Sequence, residues 1–143
     1  MRCLIFGYGY MGKIRYQMLQ HHPEVQEILI VDPDAQARGQ HEGTIPTRFL
    51  LPSDSIPWEH VDAVFICTPN HVTAELCVEA LKRCGRVFCE KPPGRDWEDF
   101  CRIEEAANST PGHLLVFGFN HRLHPSVQSA KALIGQGGLG DIL

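Results

Sequence analysis

A glycine-rich turn near the amino terminus constrains the fold of this chain more than any other stretch. It consists of Gly7, Tyr8, Gly9, Tyr10, Met11 and Gly12. The turn follows directly on the apolar run 3–6 and precedes a stretch with apolar residues at helical spacing. The spacing G-x-G-x-x-G between a strand and a helix is typical of a dinucleotide-binding βαβ unit. The sequence therefore predicts such a unit over residues 1–32, in which all six residues of the turn are expected to bind the cofactor.

Each glycine of the turn has its own expected role. Gly7 would permit the tight turn out of the strand, Gly9 would let the backbone approach a pyrophosphate, and Gly12 would let the helix pack closely on the sheet. The pyrophosphate would lie at the helix N-terminus, where free N–H groups and the positive end of the helix dipole attract an anion. The predicted apolar face of this helix comprises Met11, Ile14, Met18 and Leu19.

A carboxylate ends the second predicted strand. Asp32 follows the apolar run 28–31 and lies twenty residues after Gly12. At that place a carboxylate accepts hydrogen bonds from the ribose hydroxyls and repels a 2′-phosphate, so the sequence predicts NAD in preference to NADP. Arg38 keeps NADP open, because a folded-back loop would bring its guanidinium to a 2′-phosphate. The alternative interpretation is a plain βαβ unit in which Asp32 only forms a turn.

Strand and helix patterns alternate along the rest of the chain. Strands are predicted near 47–50, 61–67, 86–89 and 114–117, with helices after the last three of them. Such alternation indicates right-handed crossovers and a doubly wound parallel sheet with helices on both faces, the Rossmann-type α/β fold. The loops that follow the strands then share one rim of the sheet, where ligands bind in this class.

Two of the helices have predicted core-facing residues. On the helix after Asn70 these are Cys77, Ala80, Leu81 and Cys84, with Gly85 ending the helix. On the helix that Asp96 caps they are Trp97, Phe100, Ile103 and Ala107.

Charge and length exclude several classes of partner. The 143 residues suffice for one domain, and the net charge of −4 gives no basic footprint for nucleic acid or an anionic membrane. No apolar run approaches the roughly 18 residues of a membrane span, and the chain starts without a secretory pattern. We therefore expect a cytoplasmic protein with no nucleic-acid or membrane partner.

The spacing of the cysteines and histidines does not indicate a metal site. The six cysteines include no C-x-x-C pair and fall in apolar strands or helix faces, so they are predicted to be free, buried thiols. The eight histidines are scattered along the chain. No metal ligands are assigned.

Three further motifs complete a family pattern. They are Cys-Thr-Pro-Asn-His at 67–71, Glu-Lys-Pro at 90–92, and Gly-Phe-Asn-His-Arg-Leu-His-Pro at 118–125. With the glycine turn and Asp32, these motifs resemble the N-terminal half of the Gfo/Idh/MocA oxidoreductases. The resemblance implies a dinucleotide-binding domain over 1–119, and a hinge and lead-in helix over 120–143 to an α/β domain with an open sheet. That second domain is not contained in these residues, of which Ile142 and Leu143 look like the opening of a further strand.

The resemblance also implies roles for individual residues. Lys91 would lie near the nicotinamide C4 as a hydrogen-bond donor or proton-relay member, with Glu90 orienting it and a cis Lys91–Pro92 bond aiming it inward. Both Glu90 and Lys91 are expected to contact the cofactor. The residues expected to line the ribose and nicotinamide side, or the hinge beside the cofactor, are Thr68, Pro69, Asn70, His71, Asn120, Arg122 and Pro125. Asn70 has an open alternative as a plain helix N-cap. No catalytic histidine is assigned, because His121 and His124 are interpreted as surface residues.

Three functions compete at this point. The leading hypothesis is an NAD-dependent oxidoreductase, or its cofactor-binding half, that interconverts a hydroxyl and a carbonyl on a sugar, polyol or sugar-derived substrate. The second is a non-catalytic NAD-binding or sensing module. The third is an interaction protein, whose exposed apolar surface pairs with another copy or with a partner that supplies the missing domain.

Overall fold

Short aliphatic runs form the strands of one parallel sheet. The computed structural model describes residues 1–34, 43–52, 54–109, 111–137 and 140. The strands within these ranges are β1 (Arg2–Phe6), β2 (Glu27–Val31), β3 (Thr47–Leu50), β4 (Ala63–Ile66), β5 (Arg86–Cys89) and β6 (Leu114–Phe117). They pair in the order β3-β2-β1-β4-β5-β6, every pair parallel. The predicted doubly wound sheet is confirmed.

Helices connect most of these strands. They are α1 (Tyr10–Gln20), α2 (Asn70–Arg83), α3 (Trp97–Asn108) and, after β6, α4 (Pro125–Gly135), with short 3-10 turns at Trp58–His60 and Asn120–Leu123. Strand order reverses between β1 and β4, which is where this class of sheet opens a ligand crevice at its carboxyl ends. Within the described ranges, every helix is too short or too polar to cross a lipid bilayer.

The sheet separates two hydrophobic clusters. On one face Ile5 and Ile30 pack with Tyr16 and Leu19 of α1. On the other face Leu4 and Ile66 pack with Leu81 of α2 and Ile103 of α3. Helices therefore cover both faces, because successive strand residues point to opposite sides of the sheet.

The predicted apolar face of α1 is wrong in part. Leu19 is buried as expected, but Ile14 and Met18 are exposed, and the buried residues are Gly12, Tyr16 and Leu19. The helix turns its side with Gly12 toward the sheet, because a residue without a side chain allows the closest approach. Tyr16 then reaches the core, where its ring meets the Tyr8 ring edge-on with centroids 5.6 Å apart.

The predicted inner face of α3 is also corrected at one position. Trp97 is 73% exposed and stacks on Phe100, with ring centroids 5.2 Å apart. Ile103 and Ala106 are the buried apolar residues of this helix. Asp96 caps the helix as predicted, accepting a hydrogen bond from the Asp99 N–H at 3.0 Å.

The first turn of α3 also contains a buried carboxylate. Asp99 is 2% exposed, and Arg95 donates to both of its oxygens, from Nε at 2.8 Å and from Nη2 at 2.9 Å. The Arg95 side chain and backbone N–H groups hold the pKa of Asp99 well below its ordinary value. The ionised carboxylate is therefore part of the folded state.

The Arg95–Asp99 pair is expected to make a contribution to stability that is lost in acid. Since the folded-state pKa of Asp99 is lowered, its contribution is present above the unfolded pKa of about 3.9 and is lost as pH falls toward the folded value. We expect Asp99→Asn to reduce stability at pH 7 and to flatten the fall of the urea midpoint below about pH 4. A fall that is equally steep in wild type and Asp99→Asn would contradict this assignment.

Some sequence predictions concern residues that the structure does not describe. The sequence favours a short helix or turn from Pro33 to Gly43, and this segment lies mostly outside the described residues. Arg38 and the strand opening at Ile142 and Leu143 lie wholly outside them.

Candidate cofactor site and active site

The carboxyl ends of the central strands are joined by backbone hydrogen bonds into one rim. The Gly7 N–H donates to the Val31 carbonyl at 2.9 Å, and the Cys67 N–H donates to the Phe6 carbonyl at 2.8 Å. The Glu90 N–H donates to the Ile66 carbonyl, also at 2.9 Å. The loops after β1, β2, β4 and β5 therefore start from fixed positions beside one another.

A cavity of about 810 Å³ opens at this rim. Its walls bring together the glycine turn, the end of β2 and the turn between β4 and α2. The predicted cofactor residues on its walls are Gly7, Gly9, Tyr10, Met11, Asp32, Thr68, Pro69 and His71. Residues on its walls that the sequence analysis did not select include Pro52, Val72, Glu75 and Leu76. These had no motif to mark them, since Pro52 follows β3, the other three lie on α2, and all meet the glycine turn only in the folded chain.

The three glycines differ in what surrounds them. Gly7 has a φ of +86°, and a Cβ there would lie 2.7 Å from the Cys67 carbonyl oxygen. A Cβ on Gly12 would lie 2.0 Å from the Gly7 carbonyl oxygen. At Gly9, by contrast, no atom of the described residues lies within 4 Å of an added Cβ. Gly7 and Gly12 are therefore required by the protein itself, whereas the space at Gly9 remains for a ligand.

The N-terminus of α1 points its N–H groups at this space. Gly9 is the N-cap in extended conformation, no side chain caps the helix, and the first turn carries no acidic residue. The helix itself therefore supplies no carboxylate to neutralise the positive end of its dipole. This arrangement is suited to a pyrophosphate.

Asp32 is held in place by the backbone. Its Oδ2 accepts a hydrogen bond from the Tyr8 N–H at 2.6 Å, and its Oδ1 accepts one from the Asp34 N–H at 2.7 Å. A carboxylate has about four lone-pair sites, so both oxygens retain capacity for ribose hydroxyls. The predicted ribose-binding residue therefore lies on the cavity wall in a fixed orientation.

Tyr8 reaches the site only through its backbone. Its side chain is 4% exposed and packs in the core between Tyr16 and Phe49, edge-on to both rings. A contact between Tyr8 and the cofactor is therefore left to the Tyr8 backbone, whose N–H already donates to Asp32. Gly12 likewise lies behind the cavity wall rather than on it.

The turn between β4 and α2 is set by a threonine that the sequence analysis missed. The buried Thr73 hydroxyl donates to the Pro69 carbonyl at 3.1 Å and lies 3.3 Å from the Thr68 carbonyl oxygen. The N-cap of α2 is Pro69, and no side chain caps the helix. Asn70 is the first helical residue, so its alternative assignment as N-cap was wrong. Its side chain remains a candidate for the cofactor, although Asn70 does not line the cavity.

Cys67 forms a neutral part of the cavity wall. Burial, with a smaller effect from the nearby Glu90 carboxylate, raises the pKa of the Cys67 thiol to about 12. The thiol therefore stays protonated at neutral pH and does not act as a nucleophile. All six cysteines are free, as predicted, although only Cys3, Cys77 and Cys89 are fully buried.

The loop after β5 carries a buried and an exposed charge in succession. Glu90 is buried and paired with Arg15 of α1, whereas Lys91 is exposed. The Lys91–Pro92 peptide bond is cis. Neither Glu90 nor Lys91 lines the cavity, so direct cofactor contact by Glu90 has no support in the structure. The sequence analysis missed Arg15, because nothing in a helix pattern points to a partner 75 residues away.

Asn120 lies apart from the main cavity. It begins the 3-10 turn after β6 and lines a second cavity of about 440 Å³ with Arg122 and the aromatic residues Phe88, Phe117 and Phe119. In the part of the chain that the structure describes, no group of three or more histidine, cysteine or acidic residues is placed to hold a metal ion.

The parallel sheet, the glycine turn closed by Gly12 and the acid at the end of β2 define a dinucleotide-binding domain of the Rossmann class. Comparison with known proteins agrees, since residues 1–117 match an oxidoreductase family described as having an NAD-binding Rossmann fold. The chain belongs to this family, the Gfo/Idh/MocA oxidoreductases.

The relatives are longer than this chain. Inositol 2-dehydrogenase 3 of Saccharopolyspora erythraea is 32% identical over 95% of the chain and 41% of the relative. The structure of scyllo-inositol dehydrogenase from Lactobacillus casei with NAD(H) and scyllo-inositol has a TM-score of 0.83 and 26% identity, covering 99% of this chain and 43% of that one. The structure of the WlbA dehydrogenase of Bordetella pertussis, in complex with NADH and UDP-GlcNAcA, has a TM-score of 0.81 and 26% identity. The match covers 97% of this chain and 43% of that one. The chain thus spans about two fifths of their length.

Proposed function

We propose that this chain is the cofactor-holding part of an NAD-dependent dehydrogenase or reductase that interconverts a hydroxyl and a carbonyl on a sugar, polyol or sugar-derived acid. The observation that carries the proposal is the cavity in which the N-terminus of α1, the Asp32 carboxylate and the Thr68–Pro69 turn meet. The named activities of the relatives, inositol dehydrogenases among them, supply the substrate class.

Each part of the site has its own role in this proposal. The N-terminus of α1 holds the pyrophosphate, and Asp32 holds the adenosine ribose. Thr68, Pro69 and His71 line the ribose and nicotinamide side, Asn70 reaches the cofactor from the start of α2, and Asn120 contacts it from the hinge. When bound, NAD supplies a hydride acceptor at the nicotinamide C4. Lys91 handles the proton that leaves or joins the substrate oxygen while the hydride moves to or from the adjacent carbon.

We place the boundary between the cofactor domain and the hinge at residue 119. The family match over residues 1–117 and the end of β6 at Phe117 support this division. A substrate domain, in the same chain or in a partner or second copy, completes the active site. The free thiols support a reducing compartment such as the cytoplasm.

Cofactor binding is tested first, by titrating the 143-residue chain with NADH and separately with NADPH and following nicotinamide fluorescence. Saturable binding with a preference for NADH supports the proposal. Binding without turnover once a substrate domain is supplied would instead favour a non-catalytic NAD-sensing module. Failure of the folded chain to bind either cofactor would remove the cofactor role from this cavity.

Asp32→Ala is expected to weaken NADH binding by about 10- to 100-fold, because hydrogen bonds to a charged group contribute about 1.5–3 kcal/mol. NADPH binding should change less, since loss of the carboxylate also removes the repulsion of the 2′-phosphate. The ratio of the two dissociation constants, measured by the same titration, reports the effect.

Asp34→Ala is the matched control for this substitution. It removes a neighbouring negative charge and keeps the backbone N–H that donates to Asp32. The control should leave the NADH preference in place. Equal losses for NADH and NADPH in Asp32→Ala would argue against the ribose role.

A further inference from the structure

A buried ion pair lies behind the cofactor cavity. The Glu90 Oε1 accepts hydrogen bonds from both the Nε and the Nη2 of Arg15, the first at 2.9 Å. The Glu90 side chain is only 8% exposed and the Arg15 side chain only 13%. Removing two charges from water to this extent costs free energy, so the pair is not explained by stability alone.

The pair is enclosed by the ends of two strands. The Arg15 guanidinium lies over the Phe88 ring of β5, 4.5 Å from its centroid. Glu90 Oε2 is buried and has no hydrogen-bond partner among the described residues. It lies 2.7 Å from the place of a Cβ on Gly118, the residue after β6. The carboxylate therefore has little room to move away from Arg15.

The same pair connects two parts of the proposed active site. Arg15 lies on α1, whose N-terminus borders the cavity, and Glu90 directly precedes Lys91. The Glu90 N–H is bonded to the end of β4. Glu90 and Lys91 are adjacent in the chain, so a shift of Glu90 would also move Lys91.

We propose that Arg15, acting through Glu90, is a positioning residue that holds Lys91 beside the nicotinamide end of the bound cofactor. This inference rests on the function proposed above. Arg15 touches neither the cavity nor Lys91, and its role is to fix the start of the loop against the helix that binds the pyrophosphate. The planar guanidinium suits this task, because two of its donors lock one carboxylate oxygen in place.

The position of Lys91 can be read in the 143-residue chain without turnover. Acetic anhydride acetylates exposed amines, and mass spectrometry resolves the four lysines, Lys13, Lys82, Lys91 and Lys131. In wild type, saturating NADH is expected to slow acetylation of Lys91 severalfold. Lys82 and Lys131, at the end of α2 and in α4, serve as internal references.

Two variants separate positioning from stability. Arg15→Met leaves the Glu90 charge buried and unpaired, so both stability and the protection of Lys91 should fall. Arg15→Met combined with Glu90→Met removes both charges, and apolar replacement of a whole buried pair often restores stability. In this double variant we expect a recovered urea midpoint, NADH affinity within a few-fold of wild type, and continued loss of Lys91 protection.

Arg2→Met is the matched control. Arg2 pairs with Glu27 at the opposite, amino end of the same sheet, so its loss removes a similar pair far from Lys91. NADH should protect Lys91 in Arg2→Met as in wild type. Arg15→Lys keeps the charge and is expected to recover protection only in part, because an ammonium lacks the fixed fork of donors.

The outcomes distinguish the two proposals. If NADH does not bind wild type, the proposed function fails, and this inference fails with it. If NADH binds wild type without protecting Lys91, the placement of Lys91 is wrong. If Lys91 is protected equally in wild type and in the double variant, Arg15 has no positioning role, and the pair is structural only.

Discussion

The substitution Gly12→Ala is expected to lower the free energy of unfolding by at least about 3 kcal/mol, because overpacking against backbone is not relieved by a rotamer change. The added Cβ would lie 2.0 Å from the Gly7 carbonyl oxygen and 2.9 Å from the Gly7 carbonyl carbon. Relief requires α1 to move away from the turn, and this movement also displaces the N–H groups that face the cavity. Urea denaturation of the 143-residue chain measures the effect.

Gly9→Ala provides the matched comparison within the same motif. Gly9 is extended, with φ of −70°, and an added Cβ would have no neighbour within 4 Å in the part of the chain that the structure describes. The expected stability cost is about 1 kcal/mol or less, the usual difference between glycine and alanine at an N-cap. NADH affinity, however, should fall at least about tenfold, because the new methyl group occupies the space of the pyrophosphate.

The two substitutions together test the site rather than the fold alone. A loss of NADH binding without a loss of stability in Gly9→Ala locates the pyrophosphate at the N-terminus of α1. If Gly9→Ala binds NADH like wild type, the pyrophosphate lies elsewhere. If Gly12→Ala is as stable as wild type, the close packing of α1 on the turn is not required for folding.

The sheet was predictable from sequence because its signals are local. The strands β3, β5 and β6 have the predicted bounds, since each is a short apolar run between turn-forming residues. Their parallel pairing follows from the intervening helices and the handedness of the crossovers. Asp32 was identified in the same way, as the acid at the end of the second strand.

Features that depend on distant contacts were not predictable. The outward rotation of Met18 follows from the close packing of Gly12, and the burial of Tyr8 depends on Phe49, 41 positions further along the chain. The Arg15–Glu90 pair joins residues 75 positions apart. Each of these requires knowledge of which elements become neighbours, whereas periodicity reports only which side of one element is apolar.

The order of the motifs did predict where they meet. Because all strands are parallel, every loop that follows a strand starts at the same edge of the sheet. The glycine turn and residues 67–71 therefore border one cavity despite their distance in sequence. Asn120 and Lys91 lie further along this edge, beyond the walls of that cavity, because β5 and β6 are the last strands on their side.

Lys91→Ala is expected to lower turnover at least about a hundredfold, the usual contribution of a positioned proton-transfer group. The dissociation constant for NADH should stay within a few-fold of wild type, because the proposed pyrophosphate and ribose contacts come from the N-terminus of α1 and from Asp32 and remain intact. Turnover is measured with a substrate domain present, in the same chain or supplied by a partner. Lys82→Ala, at the far end of α2, controls for the loss of a surface lysine.

Lys91→Arg distinguishes a proton relay from a fixed positive charge. An arginine keeps the charge and the donors but does not release its proton at neutral pH. If Lys91 transfers a proton, turnover in Lys91→Arg should be nearly as low as in Lys91→Ala. If Lys91 only polarises the substrate oxygen, Lys91→Arg should retain a substantial part of the wild-type turnover. Unchanged turnover in Lys91→Ala would remove Lys91 from the mechanism and leave the chain with cofactor binding as its proposed role.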